Sequence, residues 1–383
     1  LAGWTSSFSA GDWDCYLVKT DSLGDTLWTR VYGSDGDDRA YSVRQTSDGG
    51  YIIAGSSNSF GQGDLDVYLV KTDSQGDTLW TRIYGGIDIS EAYSIRLTSG
   101  NGYIIVGYTT SPITMSYEFY VLRTSSVGDS LWARTYGGTD NDWARAIQLT
   151  ADGGYIIAGY TYSFGAGNLD VYLVKINFLG DTLWTHTYGG VGEDRAYSVQ
   201  QTTNGGYIVA GITRSFGVGD QNIYLIRTDS MGDTLWTGIY GGEGGESAYA
   251  IEQTADEGYI IAGETDSFGA GTTDCYVIKT APDISQVPSL PIAAIPEAYV
   301  LYPPYPNPFN PAIVIHYEVP VTSPVTLTIY NLLGQRVATI MDRTLNSGDY
   351  RTTWNAGDLP SGIYFCRLTA PSFQSIRKMV LIK

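Results

Sequence analysis

Chemistry in this chain would have to come from carboxylates and aromatic rings, because other reactive side chains are scarce. Histidine occurs twice, at His186 and His316, and cysteine three times, at Cys15, Cys275 and Cys366. Histidine-based triads, zinc clusters and haem ligation therefore lack their usual residues. The Gly-Gly pairs are followed by no Lys-Ser/Thr and precede strands, so they are not phosphate loops. Carboxylates, by contrast, recur on a register. Asp14, Asp66, Glu118, Asp170 and Asp274 fall at one repeated position, with Asn222 at the remaining one, and Asp38, Asp142, Asp194 and Glu246 fall at another. Three roles compete for them. They can cap loops by accepting backbone N–H bonds, which their recurrence favours. Asp38, Asp142, Asp194 and Glu246 can bind Ca²⁺ through oxygen, although no contiguous EF-hand string is present and no cofactor is otherwise required. A catalytic pair is the third role, and it needs distances that a sequence does not hold.

A second set of residues is conspicuous because it breaks the repeat. Trp4, Trp13, Tyr108, Tyr117, Trp143, Tyr160 and Tyr162 occur where sister units carry other residues, and Ser111 to Tyr117 replaces the Ser-Phe-Gly-x-Gly loop of the other units. Aromatic faces beside carboxylates and amides suit sugar rings, which offer an apolar face and hydroxyls. Ordinary loop packing is the competing reading for each ring taken singly. Phe8, Phe60, Phe164, Phe216 and Phe268 do follow the repeat and read as loop anchors.

The elements that must position these residues come from a period of 52. Trp28, Trp80, Trp132, Trp184 and Trp236 keep that spacing, as do Tyr16, Tyr68, Tyr120, Tyr172, Tyr224 and Tyr276. Each unit reads as four short strands, A to D; in unit two these are Ala40 to Thr46, Tyr51 to Gly55, Val67 to Lys71 and Thr78 to Tyr84. The B and C strands are apolar at consecutive positions, so both of their faces must be covered, whereas the D strand alternates as an outer edge does. Asp-Gly-Gly and Asp-Ser-x-Gly between strands are tight-turn strings. Four strands in about 50 residues, stacked on like units, predict a β-propeller with the repeated tryptophans as spacers between blades. Five A, six B, six C and five D strands predict about six blades with incomplete ends. Leu1 falls inside a repeat, which reads as an N-terminus that has lost an upstream segment and any signal peptide with it. The short A–B and C–D turns are nearly constant, whereas the B–C and D–A loops vary. That variable face is where recognition is expected.

Composition limits the partners. Residues 1–280 hold 15 basic and 34 acidic groups, which disfavours nucleic acid. No run of 18 apolar residues is present to span a membrane as a helix. Three cysteines are too few for a disulfide scaffold. Cys15 and Cys275 share a repeat position, most simply by coincidence of two small apolar residues.

Two resemblances enter here. Asp73-Ser-Gln-Gly-Asp-Thr-Leu-Trp80 is similar to the Asp-x-x-x-Gly-x-x-x-Trp string of quinoprotein-type (PQQ-like) propeller repeats, and Gly50-Tyr-Ile-Ile-Ala-Gly55 looks kelch-like. Both imply fold and not activity. Past a Pro-rich linker at 281–298, the tail at 299–383 resembles the C-terminal sorting domain of type IX secretion (the Por secretion family) in Bacteroidetes-like bacteria. Tyr305-Pro-Asn-Pro-Phe-Asn-Pro311, Tyr330-Asn-Leu-Leu-Gly-Gln-Arg336, Pro360-Ser-Gly-Ile-Tyr364 and Lys378-Met-Val-Leu-Ile-Lys383 carry this likeness. About seven short strands in this tail predict an immunoglobulin-like sandwich, and the likeness implies use of the type IX machinery and a secreted or outer-surface location. The combined expectation is an exported, non-catalytic binding module for polysaccharide or a surface protein. A glycosidase or lyase using loop carboxylates and a structural or adhesive array are the alternatives.

Overall fold

The computed structural model describes residues 1–9, 11–282, 298–305, 307–345, 348–357, 359–371 and 373–382. The expected linker at 281–298 lies almost wholly outside the described residues. The chain divides into two compact units, Leu1–Asp283 and Ile284–Lys383. All regular structure among the described residues is β-strand, and no helix is long and apolar enough to cross a membrane.

Six antiparallel sheets succeed one another in the first unit. Sheet two pairs Asp38–Gln45, Tyr51–Ser57, Asp66–Thr72 and Thr78–Tyr84 in the order A-B-C-D, and sheets three to five repeat it. The first sheet has only B, C and D strands (Ala2–Thr5, Asp14–Thr20, Thr26–Tyr32). Among the described residues the last has A, B and C strands (Glu246–Gln253, Tyr259–Thr265, Asp274–Lys279). Each A strand carries a bulge, between Ala40 and Ser42 in sheet two and at the equivalent pair in sheets three to six. There the B strand comes so close that a Cβ on Gly55 would sit 1.7 Å from the Arg39 carbonyl oxygen.

Consecutive apolar residues in the B and C strands are explained by packing on both faces. Ile52, Ala54, Val67 and Leu69 join Ala92, Ile95, Tyr103 and Ile105 of the next sheet in one buried cluster. Their strand neighbours Ile53, Tyr68 and Val70 pack the other way, with Cys15 and Leu17 of the preceding sheet. The D-strand tryptophan completes each interface from outside. Trp80 meets Tyr103 of the next sheet in a tilted arrangement at 6.1 Å, and Trp184 and Trp236 meet Tyr207 and Tyr259 edge-on. Four residues after the tryptophan, the D-strand tyrosine hydroxyl donates to the turn glycine carbonyl of the next sheet: Tyr32 to Gly76 at 2.7 Å, Tyr136 to Gly180 at 2.6 Å and Tyr188 to Gly232 at 2.5 Å. Gly76 has two reasons to be glycine, a φ of +81° and a position where a Cβ would lie 2.9 Å from the Trp28 ring.

In the second unit Val300–Leu301, Ala312–Val319 and Gly348–Asn355 form one sheet. Arg336–Leu345, Ser323–Asn331, Gly362–Ala370 and Phe373–Leu381 form the other. Inward residues of both, among them Ile315, Leu327, Trp354, Cys366 and Met379, make a single core. His316 faces outward on its strand and stacks on Tyr302 at 4.2 Å.

Candidate functional site

The A strands gather side by side, and this brings one repeat position from five units into a single arc. Backbone N–H groups of one A strand donate to side chains of the one before: Ile95 to Ser42, Ile251 to Ser198 and Gln253 to Gln200, at 3.3, 3.2 and 2.5 Å. At the bulge the arc carries Tyr41, Tyr93, Arg145, Tyr197 and Tyr249. The rings of the four arc tyrosines and those of the expected ligand residues form a continuous aromatic path. Trp4 meets Tyr41 at 5.5 Å, Tyr41 meets Tyr93 at 4.9 Å and Tyr93 meets Tyr108 at 6.0 Å. Tyr108 meets Tyr117 at 4.7 Å, Tyr117 meets Trp143 at 5.7 Å, and Trp143 meets Tyr160 at 5.2 Å and Tyr162 at 5.9 Å. Tyr160 continues to Tyr197, and Tyr197 to Tyr249.

Six of the seven expected aromatics thus lie along one path, with different degrees of access. Tyr108 and Tyr160 are buried, Tyr117 and Trp143 are half-buried, and Trp4 and Tyr162 are exposed. Trp13 is held differently: its carbonyl accepts the Asp38 N–H at 2.6 Å, its backbone bridges Asp37, and its ring is exposed.

Polar groups are set into this path. The Arg145 guanidinium lies 4.0 Å over the Tyr93 ring and donates through Nε to the Tyr160 hydroxyl at 3.0 Å. Guanidinium on an aromatic face is the stronger cation–π arrangement when desolvated. The Glu91 carboxylate lies beside the hydroxyls of Tyr93 and Tyr108, and burial pushes both phenols well above their usual range. Arg39 stands over Trp4, and Arg195 pairs with Glu193 at 2.9 Å.

The arc tyrosines are functional candidates to which the repeat-breaking criterion is blind. Tyr41, Tyr93, Tyr197 and Tyr249 repeat faithfully and so read as scaffold. Arg145, which interrupts that series, was the available signal.

Six of the recurrent carboxylates cap loops. Asp38, Asp142, Asp194 and Glu246 are buried, and each accepts a loop N–H just ahead of its strand: Ser34 to Asp38, Gly138 to Asp142, Gly190 to Asp194 and Gly242 to Glu246, each at 2.9 Å. Ser59 and Ser163 hydroxyls add bonds to Asp38 and Asp142 at 2.6 and 2.9 Å. Asp66 and Asp170 do the same for the B–C loops, each accepting two N–H groups, whereas Asn222 donates to the Phe216 and Val218 carbonyls instead. Burial raises the Asp142 and Asp170 carboxyls above the usual range despite these bonds. Among the described residues no three His, Cys, Asp or Glu groups gather where they could hold a metal ion.

The C strand carries a second recurring ionic feature. Lys71 and Lys175 are almost fully buried and pair with Asp48 and Asp152 of the A–B turn at 2.9 and 2.8 Å. At the opposite end of the A strands from the aromatic arc, Arg44, Arg96, Gln148, Gln200 and Glu252 line a cavity of about 520 Å³. Burial there, and Arg44 nearby, push the Arg96 guanidinium down to about 10.

The cysteines are all free; Cys15 and Cys366 are buried and Cys275 is exposed. His186 sits on a D strand between Trp184 and Tyr188, at 5.3 and 6.1 Å.

Fold and site define an all-β chain of repeated antiparallel sheets followed by a two-sheet terminal unit. Residues 304–383 match the family described as secretion system C-terminal sorting domain. This is the type IX sorting domain, and it marks the chain as secreted or displayed on the outer cell surface, with the secretion machinery as a partner. The chain is also similar to regulatory protein FlaEY of Caulobacter vibrioides, 22% identical over 239 residues that cover 52% of this chain. It spans only 25% of that relative's length. Among solved structures it is similar to PorZ, an essential bacterial surface component of the type IX secretion system of Porphyromonas gingivalis, with a TM-score of 0.39 and 10% identity, covering 99% of this chain and 57% of PorZ. A putative exo-β-1,3-galactanase from Bifidobacterium bifidum is similar with a TM-score of 0.34 and 14% identity, covering 70% of this chain and 93% of that one.

Proposed function

We propose that the repeat region is a β-propeller of about six blades that serves as a non-catalytic recognition module at the cell surface. The terminal unit is an immunoglobulin-like sandwich that directs its export. Polysaccharide is the ligand class we favour over a surface protein. The observation that carries this reading is the continuous path of rings from Trp4 to Tyr249, with Arg145 and Glu91 set among them. Half-buried Tyr117 and Trp143 offer ring faces that are already held in place, so binding costs little side-chain ordering. Half-buried Arg145 and Glu91 set polar groups beside the rings, and such a mixture of aromatic faces and a few polar groups is what a sugar site needs.

The burial and loop-capping of Asp38, Asp142, Asp194 and Glu246 support a structural role for these acids over a glycosidase or lyase role. Turnover by an acid pair would require carboxylates open to substrate.

The test is a soluble-polysaccharide panel run against residues 1–383, with and without chelator, with every hit assayed for released product. Retention on a glycan without product supports the module. Product release would replace it with an enzyme, and no retention on any glycan would remove the polysaccharide reading.

A further inference from the structure

One repeat position reads Arg44, Arg96, Gln148, Gln200 and Glu252 along five successive A strands, and all five side chains line the cavity at the end away from the aromatic arc. Arg44 and Arg96 are half-buried on the A strands of sheets two and three, which lie side by side through the bond from the Ile95 N–H to Ser42. Both sheets have all four strands, so the pair owes nothing to the first or last sheet. Neither arginine meets a carboxylate. Arg44 donates to the Val43 carbonyl at 2.7 Å, and Arg96 donates to the Ser94 hydroxyl at 3.2 Å and the Ile95 carbonyl at 2.9 Å, all of them neutral acceptors. Arg39 and Arg195, by contrast, pair with Asp37 and Glu193. Residues 1–280 hold 34 acidic groups against 15 basic ones, so two adjacent arginines with no acid between them run against the local composition.

A charge drawn out of water without an opposite charge is costly, and a like charge beside it adds to the cost. Both effects act here, since burial and the Arg44 charge together lower the Arg96 guanidinium. The neighbours supply further donors. Gln148 accepts the Gln201 N–H through Oε1 and Gln200 accepts the Gln253 N–H in the same way, which leaves the Nε2 group of each to donate. Glu252 is the one acid among the described residues lining the cavity, and it pairs with neither arginine. We propose that Arg44 and Arg96 bind a tetrahedral oxyanion, a sulfate or phosphate, free or as an ester on a small molecule. A guanidinium presents parallel N–H groups that match two oxygens of such an anion at once. Two guanidiniums from adjacent strands, with amide donors from the next two, suit a doubly charged group whose oxygens point in more than one plane. Glu252 adds an acceptor for a hydroxyl of whatever carries the anion.

The experiment is a calorimetric titration of the 1–383 chain with sodium sulfate and, separately, with sodium phosphate at a pH where phosphate is the dianion, with ionic strength held constant by sodium chloride. Expected is saturable binding of one anion per chain, weakened about tenfold or more by Arg96→Gln and lost in Arg44→Gln/Arg96→Gln. These substitutions keep the fold, because Gln148 and Gln200 already occupy the same repeat position in the two sheets that follow. Tighter binding of one salt than the other supports the site and tells a sulfate from a phosphate ligand. Stabilisation by excluded salts does not saturate and persists in the double variant, which separates it from binding. No saturable binding of either anion, binding undiminished in the double variant, or sodium acetate bound as tightly as sulfate would each overturn the inference.

Discussion

Single side chains separate into those that hold the aromatic path and those that could use it. Tyr160 is buried under Arg145 and beside Trp143, so Tyr160→Ala is expected to lower stability by about 2–4 kcal/mol, read from urea denaturation. Trp143 keeps part of its ring open, and Trp143→Ala is expected to abolish retention on the panel's binding glycan while shifting the urea midpoint far less than Tyr160→Ala. Equal losses in both variants would mean the path is only packing. What the sequence disclosed at this scale was set by contrast between units. Tyr108, Tyr117, Trp143, Tyr160 and Tyr162 stood out because most of their sister positions differ, and the structure brings them together. Trp13 stood out for the same reason and lies apart, since a departure from the repeat says nothing about which way a ring turns. Tyr41, Tyr93, Tyr197 and Tyr249 were hidden by their regularity, although it is the bulge beside Ala40 and its equivalents that turns them into the arc.

At the scale of elements, strand chemistry was the most legible part. The D strand runs from Thr78 to Tyr84 as read from its alternation, and the A, B and C strands of the same unit differ only by one or two residues at their ends. Contacts between units were half visible. The tryptophan spacers follow from periodicity, but the bond from Tyr136 to the Gly180 carbonyl spans 44 residues and depends on a register between sheets that no local pattern encodes. Gly76→Ala is expected to destabilise the chain by more than about 1 kcal/mol, through its positive φ and its contact with Trp28, as calorimetry would show. The A–B turns add a pH dependence. The Thr46 hydroxyl and the Lys71 ammonium hold the Asp48 carboxyl near about 2, and Lys175 and Thr150 overcome burial to hold Asp152 near about 2. An unfolded aspartate titrates near about 3.9. These groups therefore stabilise the native state above roughly pH 4 and lose that contribution as pH falls toward about 2. Asp142 and Asp170, raised by burial, act in the opposite sense and favour the native state as pH falls through their folded values. The urea midpoint is expected to drop between pH 4 and 2, and to drop less in the double variant Asp48→Asn/Asp152→Asn. An unchanged slope in that variant would remove these two pairs from the account.

For the whole molecule, location and the proposed recognition belong to different parts of the chain. Removing residues 304–383 is expected to leave the protein unexported, detectable by fractionating cells that secrete the full chain, because that segment matches the sorting domain. Several of its motifs, such as Tyr364 with its hydroxyl on the Pro360 carbonyl at 2.8 Å, were readable because they lie in short contiguous strings. The proposed ligand site is assembled from single residues on A, B and C strands of several sheets and offers no such string, which is why its members were legible only one by one. The central claim is that the aromatic path with Arg145 binds glycan without turning it over. Its most direct test is affinity electrophoresis of the 1–383 chain and of Trp143→Ala on gels containing the panel polysaccharides, with a reducing-sugar assay on the same mixtures. The account predicts that the chain is retarded by a polysaccharide, that Trp143→Ala is not, and that no new reducing ends appear. Retardation unaffected by Trp143→Ala, or reducing ends released by the chain, would contradict it.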